Sequence, residues 1–207
     1  FDKVILKPVT FAYRSLTPDF FRKGVSNFLH NLKSPVILVN DILQGEIGRA
    51  GDTVARFVIN STVGIFGLVD VAENLGFEQH NEDFGQTLAV WGFGEGPYLM
   101  LPILGPSNPR DAIGRVVDFF VDPINWWVAP DDNRIPIIRT AVSAIDLRDR
   151  LWENLEEIDK NSIDPYASYR SMYRQRRNNE IRNGSNSQSK ADLVPTKPTY
   201  ELAEPSL

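Results

Sequence analysis

Apolar positions fall into short blocks along the chain, and most of the blocks carry helical spacing. Phe21, Val25, Phe28 and Leu32 share one face of a helix predicted from Pro18 to about Leu32. The next block, Pro35 to Gln44, is almost wholly apolar and is stopped by Gly45. It is too short to cross a bilayer, which needs about 20 residues. A third helix is predicted over Gly48 to Ser61 and runs into FVINSTVGIFGLV, a stretch with no charge between Arg56 and Asp70. Asn60, Ser61 and Thr62 interrupt that stretch. They read either as a buried helix end whose polar groups find partners or as a polar lining on an apolar path. Asp70 to Leu75, with Gly76 behind it, reads as one more short helix.

The stretch from His80 to Asp118 behaves differently. Its apolar side chains, among them Leu88, Trp91, Phe93, Tyr98 and Leu101, are broken up by Gly92, Gly94, Gly96, Pro97, Pro102, Gly105 and Pro106. Glycine and proline this dense cannot sustain a continuous helix, so the segment is expected to be a buried loop or to face a membrane. A helix with Ile113, Val116, Val117 and Phe120 follows from Pro109 to about Val121, and Asp122-Pro123 breaks it. Trp126 and Trp127 come next. Neighbouring positions point in different directions, so one of the two is expected at an interface.

The longest helix is expected from Ile135 to about Lys160, with Ile138, Val142, Ile145, Trp152 and Leu155 as an ordinary packing stripe. The last helix is expected from Pro165 to about Arg182. Tyr166, Tyr169 and Tyr173 share a face of it, and Arg170, Arg174, Arg176, Arg177 and Arg182 outnumber the acidic Glu180. That mixture suits anionic lipid headgroups and equally describes a solvated basic face. Residues 183–207 are polar, contain proline and lack a helical period, so they are expected to be a disordered tail behind a single helical domain over 1–182.

Four cap-plus-proline pairs, Thr17-Pro18, Ser34-Pro35, Asn108-Pro109 and Asp164-Pro165, read as helix starts. With almost no alternating strand pattern, the fold class is all-α. The 207 residues suit one domain with a sizeable core, and a net charge of −5 argues against a nucleic-acid partner. The absence of cysteine excludes a disulfide framework, a thiol nucleophile and a thiolate metal site.

Candidate chemistry is thin. His30 and His80 are the only histidines, and no serine elbow, phosphate loop or paired-His zinc motif is present. His80, Glu82 and Asp83 have the right groups for metal binding or acid–base work, but their place ahead of an apolar helix favours capping. Gly92-x-Gly94-x-Gly96 lacks the flanking strand and helix of a nucleotide loop. No catalytic residue, metal site or cofactor is expected.

FVINSTVGIFGLVD, followed by HNEDFGQTLAVWGFGEGPYLMLPILGPSNPRDAIG, resembles the MlaA (VacJ) family of Gram-negative outer-membrane proteins, and the likeness runs from about Asp2 to Asp164-Pro165-Tyr166. It implies a ring-shaped monotopic protein of short helices, seated in the periplasmic leaflet of the outer membrane around an amphipathic channel. It implies removal of phospholipids misplaced in the outer leaflet and their delivery to a periplasmic carrier, in association with trimeric porins and without enzymatic activity. Family members carry a signal sequence, often a lipid-attachment cysteine, and a further N-terminal helix, so this chain is expected to be a fragment. A porin-bound scaffold that conducts no lipid is the alternative, and a lipid-cleaving enzyme a third reading.

The positions that match the family's motifs are Phe57, Asn60, Gly64 and Asp70 in the first block. In the second they are Phe84, Gly85, Gly92, Gly96, Pro97, Tyr98, Pro102, Gly105, Arg110 and Asp111. The resemblance makes Phe57, Asn60, Gly64, Phe84, Gly96, Tyr98 and Arg110 candidates for a lipid path, with Asn60, Tyr98 and Arg110 nearest the headgroup. Arg110 and Asp111 equally suit a local pair or cap. Trp126, Trp127, Tyr166, Tyr169, Arg170, Tyr173 and Arg174 are candidates for the membrane interface.

Overall fold

The computed structural model describes residues 2–101, 105–125 and 134–183. Trp126, Trp127, Pro102 and the expected tail beyond Asn183 lie outside the described residues. A short π-helical turn, Asp2–Leu6, leads into α1 (Lys7–Leu16), α2 (Asp19–Gln44), α3 (Ile47–Thr62), α4 (Val71–Asn74) and α5 (Phe84–Val90). A small hairpin of β1 (Leu99–Leu101) and β2 (Gly105–Ser107) follows, then α6 (Pro109–Val121), α7 (Arg134–Arg150), α8 (Trp152–Asn161) and α9 (Pro165–Ile181). The hairpin is antiparallel, with Leu99 opposite Ser107 and Leu101 opposite Gly105. The all-α expectation holds with this one small addition.

Helix starts follow their chemistry where a side chain can reach. Asn108 accepts from the Asp111 amide at 2.8 Å and Asp164 from the Ala167 amide at 3.1 Å, so both proline-marked starts are real caps. Asp83 caps α5 by accepting from the Gln86 amide at 3.0 Å, which is the capping role the sequence favoured for it.

Ser34-Pro35 is not a helix start. α2 runs straight through Pro35 and ends only at Gly45, whose left-handed backbone (φ +79°) forms its C-cap. An internal proline removes a helical hydrogen bond and costs about 3 kcal/mol. Here Val36 and Ile37, 2% and 1% exposed, are buried directly behind it, and packing on the neighbouring helices outweighs the local preference. The expected helix over 135–160 is instead two, α7 and α8, separated at Leu151, so α2 is the longest helix. α1 was not anticipated.

Burial is inverted. Among the described residues, Val36, Ile37, Ala50 and Ala72 are the only buried apolar side chains, while Asn40, Asp41, Glu82, Gln86, Thr87 and Asn108 are each 2% exposed or less. α3 turns Thr53, Arg56 and Asn60 inward and leaves Ile47, Val54, Phe57 and Val58 outside. α6 does the same, burying Arg110, Asp111 and Gly114 and exposing Ile113, Val116, Phe119 and Phe120. The apolar stripes visible in the sequence are therefore mostly the exterior of the molecule. Each such side chain left in water forfeits about 1.5–3 kcal/mol, so these faces require an apolar environment.

Candidate functional site

Inside, polar side chains form connected networks. The densest is built on Asp111, which is 4% exposed. Its Oδ1 accepts from Arg110 Nε and Arg177 Nη2, both at 3.0 Å, and its Oδ2 from Asn108 Nδ2 at 2.9 Å and from the Tyr173 hydroxyl. Four donors fill the capacity of one carboxylate. Arg177 also holds Asp83 with Nη1 and Nη2, each at 2.6 Å. Despite burial, these donors keep the Asp83 carboxyl well below the usual carboxylate range. The Arg177 guanidinium is raised, because the two carboxylates outweigh its desolvation.

This arrangement depends on two glycines. A Cβ on Gly114 would lie 2.3 Å from the Gly85 nitrogen, and one on Gly85 would lie 2.6 Å from Arg177 Nη2. α5 and α6 thus touch backbone to backbone, which puts Asp83 and Asp111 within reach of one arginine.

A second network joins α2 to α3 and the 80–87 segment. Thr87 donates to Asn40 at 2.7 Å, Gln44 to Glu82 at 2.9 Å and Arg49 to Glu82 at 2.7 Å. Asp118 accepts from the Phe84 amide and from Asn40 Nδ2, both at 3.1 Å. Burial, aided by the nearby Asp83 charge, pushes the Asp118 carboxyl up to about 6.

His80, Asp41 and Thr53 meet, but not as a hydrolytic relay. Both Asp41 oxygens and the Thr53 hydroxyl lie 3.1 Å from the same imidazole atom, Nε2, and Thr53 donates to Asp41 at 2.7 Å. One nitrogen cannot give its proton to Asp41 while taking one from Thr53. His30 Nε2 lies 2.9 Å from the His80 carbonyl, which makes it the donor, and burial lowers its pKa to about 4.

The polar elements enclose a cavity of about 380 Å³. α2 contributes Ser26, Leu29, His30 and Lys33; α7 contributes Ser143, Asp146, Leu147 and Arg150; α9 contributes Met172, Tyr173, Arg176, Arg177 and Glu180. Asp83, Gln86, Asp111 and Arg115 close the remaining side. A space of this size, with both charged and apolar side chains on its wall, has room for a small charged group and is near the lower end of small-molecule sites, about 300–1,000 Å³.

None of the seven lipid-path candidates is on this wall. Asn60 is inside but engaged: its Nδ2 donates to Asp70 at 2.9 Å, and its Oδ1 accepts from the Val71 and Ala72 amides at 2.9 and 3.0 Å. That supports the partnered reading of its polar group. Arg56 reaches the same Asp70 at 2.5 Å. A Cβ at Gly64 would lie 2.2 Å from the Val69 carbonyl, and at Gly96 3.2 Å from the Pro109 ring. Phe57 belongs to the outer apolar face. Phe84 and Arg110 adjoin the wall residues Asp83 and Asp111 in sequence. Tyr98 packs edge-on against Tyr166 and Tyr173, with ring centroids at 5.6 and 5.9 Å.

Among the interface candidates, Tyr166 and Arg170 are exposed. Tyr173 is tied to Asp111, Arg174 pairs with Glu95 at 3.1 Å, and Tyr169 donates to Asp159 at 2.9 Å. Burial and that carboxylate raise the Tyr169 phenol to about 12. The wall residues Lys33, Gln86, Arg115, Ser143 and Asp146 escaped sequence reasoning. They sit on helices whose apolar stripes drew attention, and only inverted burial shows that the opposite, polar stripe faces inward.

Among the described residues no helix is long and apolar enough to cross a membrane. An all-α molecule with polar networks inside, apolar faces outside and no spanning helix among those residues has the architecture of a monotopic membrane protein. The family model for MlaA lipoprotein matches residues 1–180. The Escherichia coli protein named intermembrane phospholipid transport system lipoprotein MlaA is 33% identical over 178 residues, covering 84% of this chain and 69% of that one. An uncharacterized protein of Rickettsia bellii is 37% identical over 177 residues, covering 85% and 68%. A solved structure, reported under "Structural basis for maintenance of bacterial outer membrane lipid asymmetry", matches with a TM-score of 0.74 at 33% identity over 87% of this chain and 89% of that one. The chain belongs to the MlaA lipoprotein family.

Proposed function

We propose that this protein transports phospholipid, taking molecules misplaced in the outer leaflet of the Gram-negative outer membrane and passing them to a periplasmic carrier. The observation that carries the reading is the inversion itself, a charged cavity of about 380 Å³ inside a body whose exterior is apolar. A phospholipid has the matching construction. Its headgroup needs a polar passage, and its acyl chains need continuous apolar contact, since exposing them to water costs about 0.8 kcal/mol per CH₂. Seated in the periplasmic leaflet, the protein passes the headgroup through its centre while the chains stay against lipid or apolar protein.

No bond is made or broken in such a step. Direction comes from the higher affinity of the next carrier, because a passage with no energy source only equilibrates its two ends. Named relatives bear the words intermembrane phospholipid transport system, and the same service in lipid asymmetry is proposed here. Trimeric porins are the proposed neighbours in the membrane.

The test is to extract the full-length protein from outer membranes in mild detergent and record native mass spectra. Bound phospholipid should appear with the wild type and be lost when Ser143→Trp fills the cavity, with any co-purifying porin still attached. Porin without specifically held phospholipid supports the scaffold reading and rejects transport.

A further inference from the structure

The cavity wall carries five cationic side chains and four carboxylates, one positive charge in excess, within a chain of net charge −5. Most of that charge is internally paired. Arg150 binds Asp146 at 3.1 Å, Arg176 binds Glu180 at 2.7 Å, and Arg177 is committed to Asp83 and Asp111. Arg115 donates to the Pro106 carbonyl at 3.2 Å. Lys33 forms no ion pair among the described residues, although it is half-buried and on the wall. Its charge is felt by Asp83 and Asp118, yet Asp83 is paired with Arg177, and Asp118 accepts from the Phe84 amide and Asn40 rather than from Lys33.

Gln86 supplies a second unmet requirement on the same wall. It is 1% exposed. Its Nε2 donates to the Asn81 carbonyl at 3.1 Å, which fixes the orientation of the amide, while its Oε1 has no hydrogen-bond partner among the described residues. A buried acceptor left empty is unfavourable, and a ligand that donates to it completes the amide's hydrogen bonding.

We propose that Lys33 and Gln86 form the headgroup subsite of the cavity. Lys33 takes the phosphodiester, and Gln86 Oε1 accepts a hydrogen bond from a donor at the far end of the headgroup. This rests on the transport reading and deepens it by assigning a preference. Ethanolamine and glycerol headgroups carry the required N–H or O–H, and choline does not. The subsite therefore favours donor-bearing glycerophospholipids over phosphatidylcholine, even though phosphatidylethanolamine and phosphatidylcholine have the same net charge.

Binding of short-chain lipids to the full-length protein in detergent, by calorimetry below their micellar concentrations, tests this. Wild type should bind dihexanoyl-phosphatidylethanolamine at least about fivefold more tightly than dihexanoyl-phosphatidylcholine, and dihexanoylglycerol, which lacks phosphate, more weakly than either. Lys33→Met and Lys33→Gln should weaken both phospholipids about fivefold to tenfold, and Lys33→Arg should retain binding. Lys23→Met, exposed on the same helix and off the wall, should change nothing.

Equal affinity for the two phospholipids overturns the role of Gln86. Unchanged binding by both neutral Lys33 variants overturns that of Lys33, and in either case transport still stands. Inorganic phosphate bound as tightly as phosphatidylethanolamine, and lost with Lys33, reassigns the subsite to a free anion and overturns the lipid assignment. No binding of any phospholipid by wild type rejects the subsite and the transport reading together.

Discussion

Arg177 and Asp83, 94 residues apart in the chain, are joined by two parallel hydrogen bonds of 2.6 Å. The fork geometry fits guanidinium to carboxylate, and it fastens α9 to the capped start of α5. Through Asp111 the same arginine also fastens α9 to the start of α6. Three helix termini and one wall of the cavity are thus set by a single side chain.

Arg177→Met should therefore lower stability by about 3 kcal/mol or more, because it leaves buried carboxylates without their cation. For a chain of this size that is roughly 6–12 °C in thermal midpoint, measured in detergent at pH 7. The sign with pH follows from Asp83. Its folded pKa is depressed, so its contribution is present above the ordinary value of 3.8 and is lost as pH falls further. The deficit of Arg177→Met should accordingly be largest at neutral pH and shrink at pH 4 and below. Arg177→Lys, which keeps the charge and loses the fork, should fall between the two.

Gly114→Ala tests the close approach of α5 and α6. In an ordinary exposed helix this change stabilises by about 0.5–1 kcal/mol. Here the added methyl lies 2.3 Å from the Gly85 nitrogen, so the helices must separate. A loss of about 1–3 kcal/mol is expected from overpacking. A variant as stable as the wild type would mean that α5 and α6 are not in contact at this point.

The helices over 109–121 and 165–181 were legible because proline and a capping side chain act within one turn of the chain. Pro35 misled for the complementary reason. Its local preference was overruled by the burial of Val36 and Ile37 against distant helices, which no short window contains. The site was harder to read than the fold. Periodicity shows that Ile113, Val116 and Phe120 share a face, but not whether that face points into a core or out into lipid. Only the far side of the helix, with Arg110 and Asp111 buried in each other's company, decides it. Lys33 and Gln86 have no motif at all. They become visible through what they lack, an ion pair and a hydrogen bond among the described residues.

Asn60 provides a sharp test of structural against lipid-contacting roles. Its side-chain hydrogen bonds go to Asp70, Val71 and Ala72, and they hold α4 against the end of α3. Asn60→Ala should cost about 1–3 kcal/mol by stranding those partners. Phospholipid affinity of the surviving folded fraction should be unchanged. A selective loss of lipid binding at full stability would place Asn60 on the lipid path instead.

Two buried groups oppose one another in mild acid. The Asp118 carboxyl is raised to about 6 from 3.8, so its buried charge burdens the fold above pH 6 and is relieved as pH falls towards 4. His30 is lowered to about 4 from 6.5, so its contribution is intact above pH 6.5 and is lost as pH falls towards 4. Each shift is worth about 3 kcal/mol, with opposite sign over nearly the same range. For these two groups together, stability should change little between pH 6.5 and 4.5. Asp118→Asn keeps an acceptor for Phe84 and Asn40 and removes the charge, so it should be about 1–3 kcal/mol more stable than wild type at pH 7.5. Its thermal midpoint should then drop steeply on acidification, because the loss at His30 is no longer offset. His30→Gln should show the reverse slope. Midpoints of all three proteins that run parallel across this range would show that neither group is buried as described.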